Sequence, residues 1–209
     1  MNDTYKRFKN TLFFDESFSA WGLRHAYEAI VRVLKNNNCK TVLEVCCGTG
    51  KFAELMTKKR MEVTGIDMSQ TMLDRARKKK RSKKLIFLDA TEMSFKEEFD
   101  AVIIQIALHE MSLEVRRKVF NNMKNAVKKE GKIIVSDYSN TNNKSINSRI
   151  NGYFVLKAEK DFLNTYPEHY YNFREFMESG GVEGFLRGEK IISKSYFMGG
   201  HLGVIVINK

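Results

Sequence analysis

The sequence predicts a doubly wound α/β fold, and three observations predict it. Short apolar runs alternate with longer helical patterns from about residue 40 to 138, the first run leads straight into Gly48-Thr49-Gly50, and the chain ends on two β-rich runs joined through Gly199 and Gly200. Strand and helix in alternation imply βαβ units and a mostly parallel sheet with helices on both faces. The last two runs suit an antiparallel hairpin at one sheet edge.

Taken in order, the segment from Ser19 to Leu34 sets Trp21, Leu23, Tyr27, Ile30, Val31 and Leu34 at spacings of three and four, which predicts an amphipathic helix. Residues 1–38 are therefore expected to form a helical lid across the sheet's upper edge. Strands are expected at TVLEV, MEVTGI, KLIFL, FDAVIIQIA and GKIIVSDY, with helices after the first, the second (SQTMLDRARK) and the fourth, from Leu113 to about Lys129. These elements make residues 39–139 the core. From Asn140 to about Arg187 the alternation breaks into two helical patterns that meet near Tyr166 and Pro167, the single proline, so 140–187 is a helical insertion. Residues 188–209 supply the hairpin. A length of 209 residues without repeats or linkers predicts one domain, 1–209.

A composition of 43% hydrophobic and 29% charged residues is globular, and no apolar run reaches the roughly 20 residues needed to cross a bilayer. The N-terminus MNDTYKRFKN lacks a secretory apolar core, and Cys39, Cys46 and Cys47 contain neither a CxxC pair nor zinc spacing. A cytoplasmic protein with free thiols and no metal is expected. The net charge of +11 is local: the run Arg75 to Lys84 holds eight basic residues and no acid, and without it the charge falls to +3. In a doubly wound sheet that connection lies opposite the ligand-binding edge, so a solvated face beside a helix C-terminus is the favoured reading. Peripheral membrane contact or RNA docking is the remaining one.

An apolar strand that turns through Gly48 and Gly50 into a helix brings backbone close to a ligand at unpaired N–H donors. Such a loop alone serves any nucleotide, or is simply a tight turn. Asp67 ends the second strand, where a carboxylate can accept two hydrogen bonds from a ribose diol. Asp89, with Ala90 and Thr91, ends the third, beside backbone N–H groups suited to an adenine edge. Either acid singly is more often a helix cap, but the three strand ends together outweigh that reading.

The segments VLEVCCGTG, GIDMSQTMLDRAR, FLDATEM, FDAVIIQIALHEM and KNAVKKEGKIIVSDY resemble the ordered motifs of class I S-adenosylmethionine-dependent methyltransferases, within the ubiquinone/menaquinone C-methyltransferase-like (type 11/25-like) group, over roughly Lys40 to Tyr138. The resemblance implies a Rossmann-like seven-stranded sheet of order 3-2-1-4-5-7-6 and S-adenosyl-L-methionine as cofactor. It implies that Glu44 organises the loop and approaches the methionine amino group, that Gly48, Thr49 and Gly50 form the loop, and that Asp67 with Met68 holds the ribose side. Asp89 and Ala90 would read adenine, and Gln105 and Ile106 would line the methionyl part. One departure is Cys46, at the position of the family's first glycine, which either contacts the cofactor or fills space as a small thiol. A dinucleotide dehydrogenase is the rival, since Gly48, Gly50 and Ala53 satisfy a degenerate G-x-G-x-x-A pattern. Glu44, Asp89 and the terminal hairpin favour the methyltransferase.

Methyl transfer from a sulfonium needs alignment, dryness and, for a protic acceptor, a base. His109, in IALHEM beyond the fourth strand, is the candidate general base, against a packing or capping role. Glu110 is a weaker candidate, Ser112 the expected N-cap of the next helix, and His25 and His201 are structural. The rings Tyr153, Phe154, Phe162, Tyr166, Tyr170, Tyr171, Phe173 and Phe176 would wall a pocket for a flat or apolar acceptor, or form the insertion's own core. The expected partner is a small or lipid-like acceptor. Nucleic acid is disfavoured, because ALHEM stands where an Asn/Asp-Pro-Pro-aromatic motif would follow the fourth strand. An RNA methyltransferase and a non-catalytic S-adenosylmethionine-binding protein are the alternatives.

Overall fold

The computed structural model describes residues 23–141, 145–161, 163 and 166–209. Trp21 and Phe162 lie outside these. In chain order the elements are α1 (Arg24–Asn36), β1 (Thr41–Val45), α2 (Lys51–Lys58), β2 (Glu62–Asp67), α3 (Gln70–Lys78), β3 (Lys84–Phe87), β4 (Phe99–Gln105), a 3₁₀ turn (Leu108–Glu110), α4 (Leu113–Ala126), β5 (Val127–Tyr138), α5 (Ile146–Asp161), α6 (Pro167–Glu178), α7 (Gly181–Phe185), β6 (Ile191–Phe197), a 3₁₀ turn (Met198–Gly200) and β7 (Leu202–Asn208).

The seven strands make one sheet of order β3-β2-β1-β4-β5-β7-β6, as the resemblance implies. Strands β1 to β5 are parallel, and β7 runs antiparallel between β5 and β6. Successive strand residues point to opposite faces, which builds two cores. Leu43, Val102, Ile104, Ile133 and Val135 pack with Val119, Phe120 and Met123 of α4 and Phe176 of α6. Val42, Ala101, Ile103 and Ile134 pack with Ile30 and Leu34 of α1 and Phe52, Ala53 and Met56 of α2. Strand order reverses between β1 and β4, so a crevice opens at their C-terminal ends.

The expected helix to about Lys129 stops earlier. The chain passes from Ala126 directly into β5, and β5 shifts register against β4 between Phe99 and Ala101. Gly131 is required there, since a Cβ would lie 2.5 Å from Val127 Cγ2 and 2.8 Å from the Asp100 carbonyl oxygen. β4 also ends two residues early, because Ile106 takes a left-handed φ of 47°. Pro167 starts α6 at its first turn, where a missing N–H costs nothing. No helix among the described residues is long and apolar enough to cross a membrane.

Candidate active site

The C-terminal ends of β1, β2 and β4 converge. Gly48 N–H donates to Asp67 Oδ2 at 2.7 Å, and Ser69 N–H donates to Asp67 Oδ1 at 2.8 Å, so the second strand's acid holds the first strand's loop. Gly48 and Gly50 both have positive φ, 52° and 72°. Cys46 takes φ 55° as well, so a cysteine occupies a conformation that favours glycine. Its side chain is half-buried against the core under α4.

Glu44 is buried at the end of β1 and accepts from the Ala53 backbone and the Gln105 amide. Burial raises its carboxyl to about 8, helped by the neighbouring Asp67 charge. Its Oε2 and the Gln105 Oε1 are both buried acceptors with no hydrogen-bond partner. Two unsatisfied acceptors side by side are costly unless a donor arrives. The Cys46 thiol reports the surrounding field: burial pushes its pKa well up, and Asp67, Glu110, Asp89 and Glu44 all add to the rise. Four carboxylates, at or beyond the ends of four successive strands, thus act on one loop residue.

Asp89 Oδ1 accepts from Thr91 N–H at 2.8 Å in a turn after β3, and Asn122 of α4 fixes that turn through the Ala90 and Thr91 carbonyls at 3.0 and 2.9 Å. Ala90 is buried, whereas Met68 beside Asp67 is 44% exposed, a large thioether side chain left on the rim. Ile106 turns to the opposite side, against the core of α1 and α2. Thr49 is already engaged: its carbonyl and hydroxyl accept from Arg81 at 3.0 and 2.8 Å. The basic run is therefore not wholly the solvated face that the sequence suggests. Arg81 is buried and lies under the glycine loop, where it also approaches Glu54 at 3.4 Å.

Beyond β4 the structure brings together residues the sequence kept apart. His109 is 1% exposed, with Nδ1 2.7 Å from Asp137 Oδ1 and Nε2 3.6 Å from Glu159 Oε1. Burial opposes its charge, but Asp137 and Glu159 overcome that and hold its pKa at about 9. Asp137 also accepts the Leu108 N–H at 2.8 Å and the Tyr138 N–H at 2.7 Å, while the Tyr138 hydroxyl donates to Glu159 at 2.9 Å. Burial raises the Glu159 carboxyl, and the His109 charge pulls it back. His109 thus links the sheet, through Asp137, to α5, through Glu159.

Sequence reasoning passed over Asp137, Glu159, Arg116 and His169. Asp137 was detectable as another acid at a strand end. Arg116 is fully buried, donating to the Leu108 and Met111 carbonyls at 2.9 and 2.7 Å and to Glu175 at 3.1 Å, and it lies over the Phe176 ring at 4.7 Å. It ties α6 to the 3₁₀ turn that carries His109. Ser112 caps α4, as its position predicts.

The aromatic insertion divides by role. Phe173 and Phe176 are core, whereas Tyr153 and Tyr171 are 63% exposed. A cavity of about 250 Å³ lies between α5 and α6, lined by Val155, Leu156, Tyr170, Phe173 and Met177 with His201.

Residues 42–131 match the family model of a methyltransferase domain. The chain is 27% identical over 129 residues to demethylmenaquinone methyltransferase of Thermotoga maritima, covering 60% of this chain and 56% of that protein. It is 35% identical over 111 residues to the enzyme of the same name from Staphylococcus aureus, covering 50% and 44%. The chain thus spans about half the length of these relatives. Among solved structures, the magnesium protoporphyrin IX methyltransferase of Synechocystis with bound S-adenosylhomocysteine superposes with a TM-score of 0.59 at 15% identity, over 88% of this chain and 82% of that one. A Burkholderia thailandensis 1,6-didemethyltoxoflavin-N1-methyltransferase gives 0.63 at 13%, over 97% and 85%. At such identities the likeness establishes the fold.

Proposed function

We infer that this chain is a class I S-adenosylmethionine-dependent methyltransferase, and we propose that it methylates a small or lipid-like acceptor in the cytoplasm. The observation that carries the reading is the unsatisfied pair Glu44 Oε2 and Gln105 Oε1, beside carboxylates at or beyond four strand ends that all act on Cys46. The carboxylates of Asp67, Asp89 and Glu110 favour a ligand bearing a sulfonium over the pyrophosphate of a dinucleotide, and Glu44 ionises when an ammonium arrives beside it. The family match and the methyltransferase neighbours support the same choice.

In this reading Glu44 and Gln105 receive the amino group. Asp67 accepts the ribose hydroxyls while keeping Gly48 in place, Met68 covers the purine from the rim, and Asp89 with Ala90 meets the adenine edge. Gly48, Thr49 and Gly50 shape the loop, with Cys46 in the turn that begins it. The bound cofactor supplies an electrophilic methyl group, and the protein's task is to align the acceptor and exclude water. Phe173 and the α5–α6 cavity give an apolar wall for that acceptor. The relatives' names, which include a quinone and a toxoflavin precursor, support a small acceptor.

Calorimetry with S-adenosylmethionine and with NADH tests the reading. The former should bind and the latter should not, and Asp67→Ala should weaken binding by about 1.5 to 3 kcal/mol as charge-assisted hydrogen bonds are lost. Binding of NADH alone, or an unchanged affinity in the variant, would reject it.

A further inference from the structure

The outer face of α5 carries apolar side chains where a surface helix carries polar ones. Ile150, Tyr153, Phe154 and Leu156 are 46 to 63% exposed, whereas Ser148, Val155 and Glu159 of the same helix are buried. At about 3.6 residues per turn, the buried three share one arc and the exposed four fan over the opposite one. Arg149, Lys157 and Lys160 stand exposed among them, with Asp161 as the single exposed acid of the helix. A helix that is apolar and basic on its open side is the pattern that lies in a bilayer interface.

The helix lies at the C-terminal ends of the parallel strands, on the crevice side. Its inner arc closes on residues at or just beyond the ends of β4 and β5: Glu159 Oε1 lies 3.6 Å from His109 Nε2 and accepts from the Tyr138 hydroxyl at 2.9 Å. Leu156 belongs to two surfaces, since it is half-exposed and also lines the cavity of about 250 Å³ between α5 and α6. The wall of that cavity therefore reaches the open face. The basic run Arg75 to Lys84 stands elsewhere. It ends α3 and opens β3, at the N-terminal edge of the parallel strands, so contact through it would turn the crevice away from a surface.

We propose that the outer face of α5 docks on an anionic lipid bilayer, and that the α5–α6 cavity takes a lipid-like acceptor from that membrane. This rests on the methyltransferase reading above and names the partner of its acceptor side. Charge complementarity selects the bilayer. Each Lys or Arg near an anionic leaflet strengthens binding on the order of 5-fold, and the long stems of Arg149, Lys157 and Lys160 let their charges stay at the headgroups while Ile150, Tyr153 and Phe154 sink below them. A two-fold dimer through the same face would set the three cations against their own copies. A nucleic acid stacks on rings but gains nothing from burying Ile150 and Leu156.

The test uses the full chain with sucrose-loaded vesicles of phosphatidylcholine, with and without phosphatidylglycerol. The chain should sediment with the anionic vesicles, and on the order of 10-fold or more weakly with the neutral ones. Ile150→Ser combined with Tyr153→Ser should weaken binding on the order of 10-fold, and Lys157→Glu combined with Lys160→Glu at least as much. Both double variants should keep the melting temperature and the S-adenosylmethionine affinity of the parent. Hydrogen exchange on vesicles should protect α5 and leave residues 75–84 as in the free chain. Maleimide should label Tyr153→Cys rapidly in the free chain, whereas a shielded thiol would mean that a second copy or residues 1–22 already cover the face. That shielding, binding indifferent to the α5 substitutions, protection at 75–84 instead, or capture by an RNA oligonucleotide and not by vesicles would each overturn the proposal. A chain that docks but fails to bind S-adenosylmethionine would instead remove the methyltransferase reading, and with it the acceptor's route, while leaving the docking in place.

Discussion

The Arg81 guanidinium clasps Thr49, donating to its carbonyl at 3.0 Å and its hydroxyl at 2.8 Å from 32 residues further along the chain. The most basic stretch of the sequence thereby reaches in to brace the glycine loop. A Cβ on Gly50 would meet the Arg81 Cβ at 3.4 Å and the Ala76 Cβ at 3.2 Å, so the loop packs closely on the end of α3.

Arg81→Ala should lower stability by about 1 to 3 kcal/mol, because the Thr49 acceptors lose their buried donor. Cofactor affinity should fall with it. Lys83→Ala, in the same run but exposed, should stay within about 0.5 kcal/mol of the parent. Thermal melts and calorimetry on the two variants make the comparison, and equal behaviour would return Arg81 to the solvated surface.

Glu44 titrates at about 8 in the unliganded protein, where burial penalises its charge. An ammonium beside it stabilises the ionised form, so binding near pH 7 should release a proton. Affinity should increase from pH 6 to 7.5 and the rise should vanish in Glu44→Gln. Calorimetry in buffers of different ionisation enthalpy reads the proton directly, and a zero count would take the ammonium away from Glu44.

His109 has a folded pKa of about 9, above its ordinary 6.5. Its contribution to stability is therefore complete below pH 6.5 and is lost as pH climbs through 9, on the order of 3 kcal/mol in all. Denaturant melts between pH 6 and 9.5 should show this decline for the parent and a shallower one for His109→Gln, in which the raised Glu44 carboxyl still titrates. Hydrogen exchange should place the loosening at α5, where Glu159 is held, since that helix meets the ion cluster from outside the sheet.

Cys46 holds a φ of 55° that costs a residue with a Cβ about 1 kcal/mol. Cys46→Gly relieves this cost but adds unfolded-state freedom worth about 0.5 to 1 kcal/mol. The net change should be small and the cofactor should still bind. Cys46→Val, β-branched at positive φ, should destabilise by about 1 to 3 kcal/mol. Burial and four nearby carboxylates disfavour the thiolate, so iodoacetamide should modify Cys46 slowly at pH 8.

The sheet was legible in the sequence because the alternation that builds it is local. TVLEV and FDAVIIQ advertise buried strands, and Gly48, Asp67 and Asp89 mark strand ends at regular intervals. The first two of those ends meet through the hydrogen bond from Gly48 to Asp67. The helix end at Ala126 was not legible, since VKKE continues the helical composition and only pairing with β4 makes Val127 a strand residue.

By itself, then, the sequence determined the order of strands and helices, the glycine turn and the acids at the strand ends, because each is set by residues a few positions apart. Tertiary structure decided the charge states and the partnerships. His109 meets Asp137 from 28 residues away and Arg116 meets Glu175 from 59, and no periodicity encodes such pairs. A histidine's pKa depends on burial and on the charges beside it. Only the fold, by packing α5 over the end of β5, could seat His109 between Asp137 and Glu159.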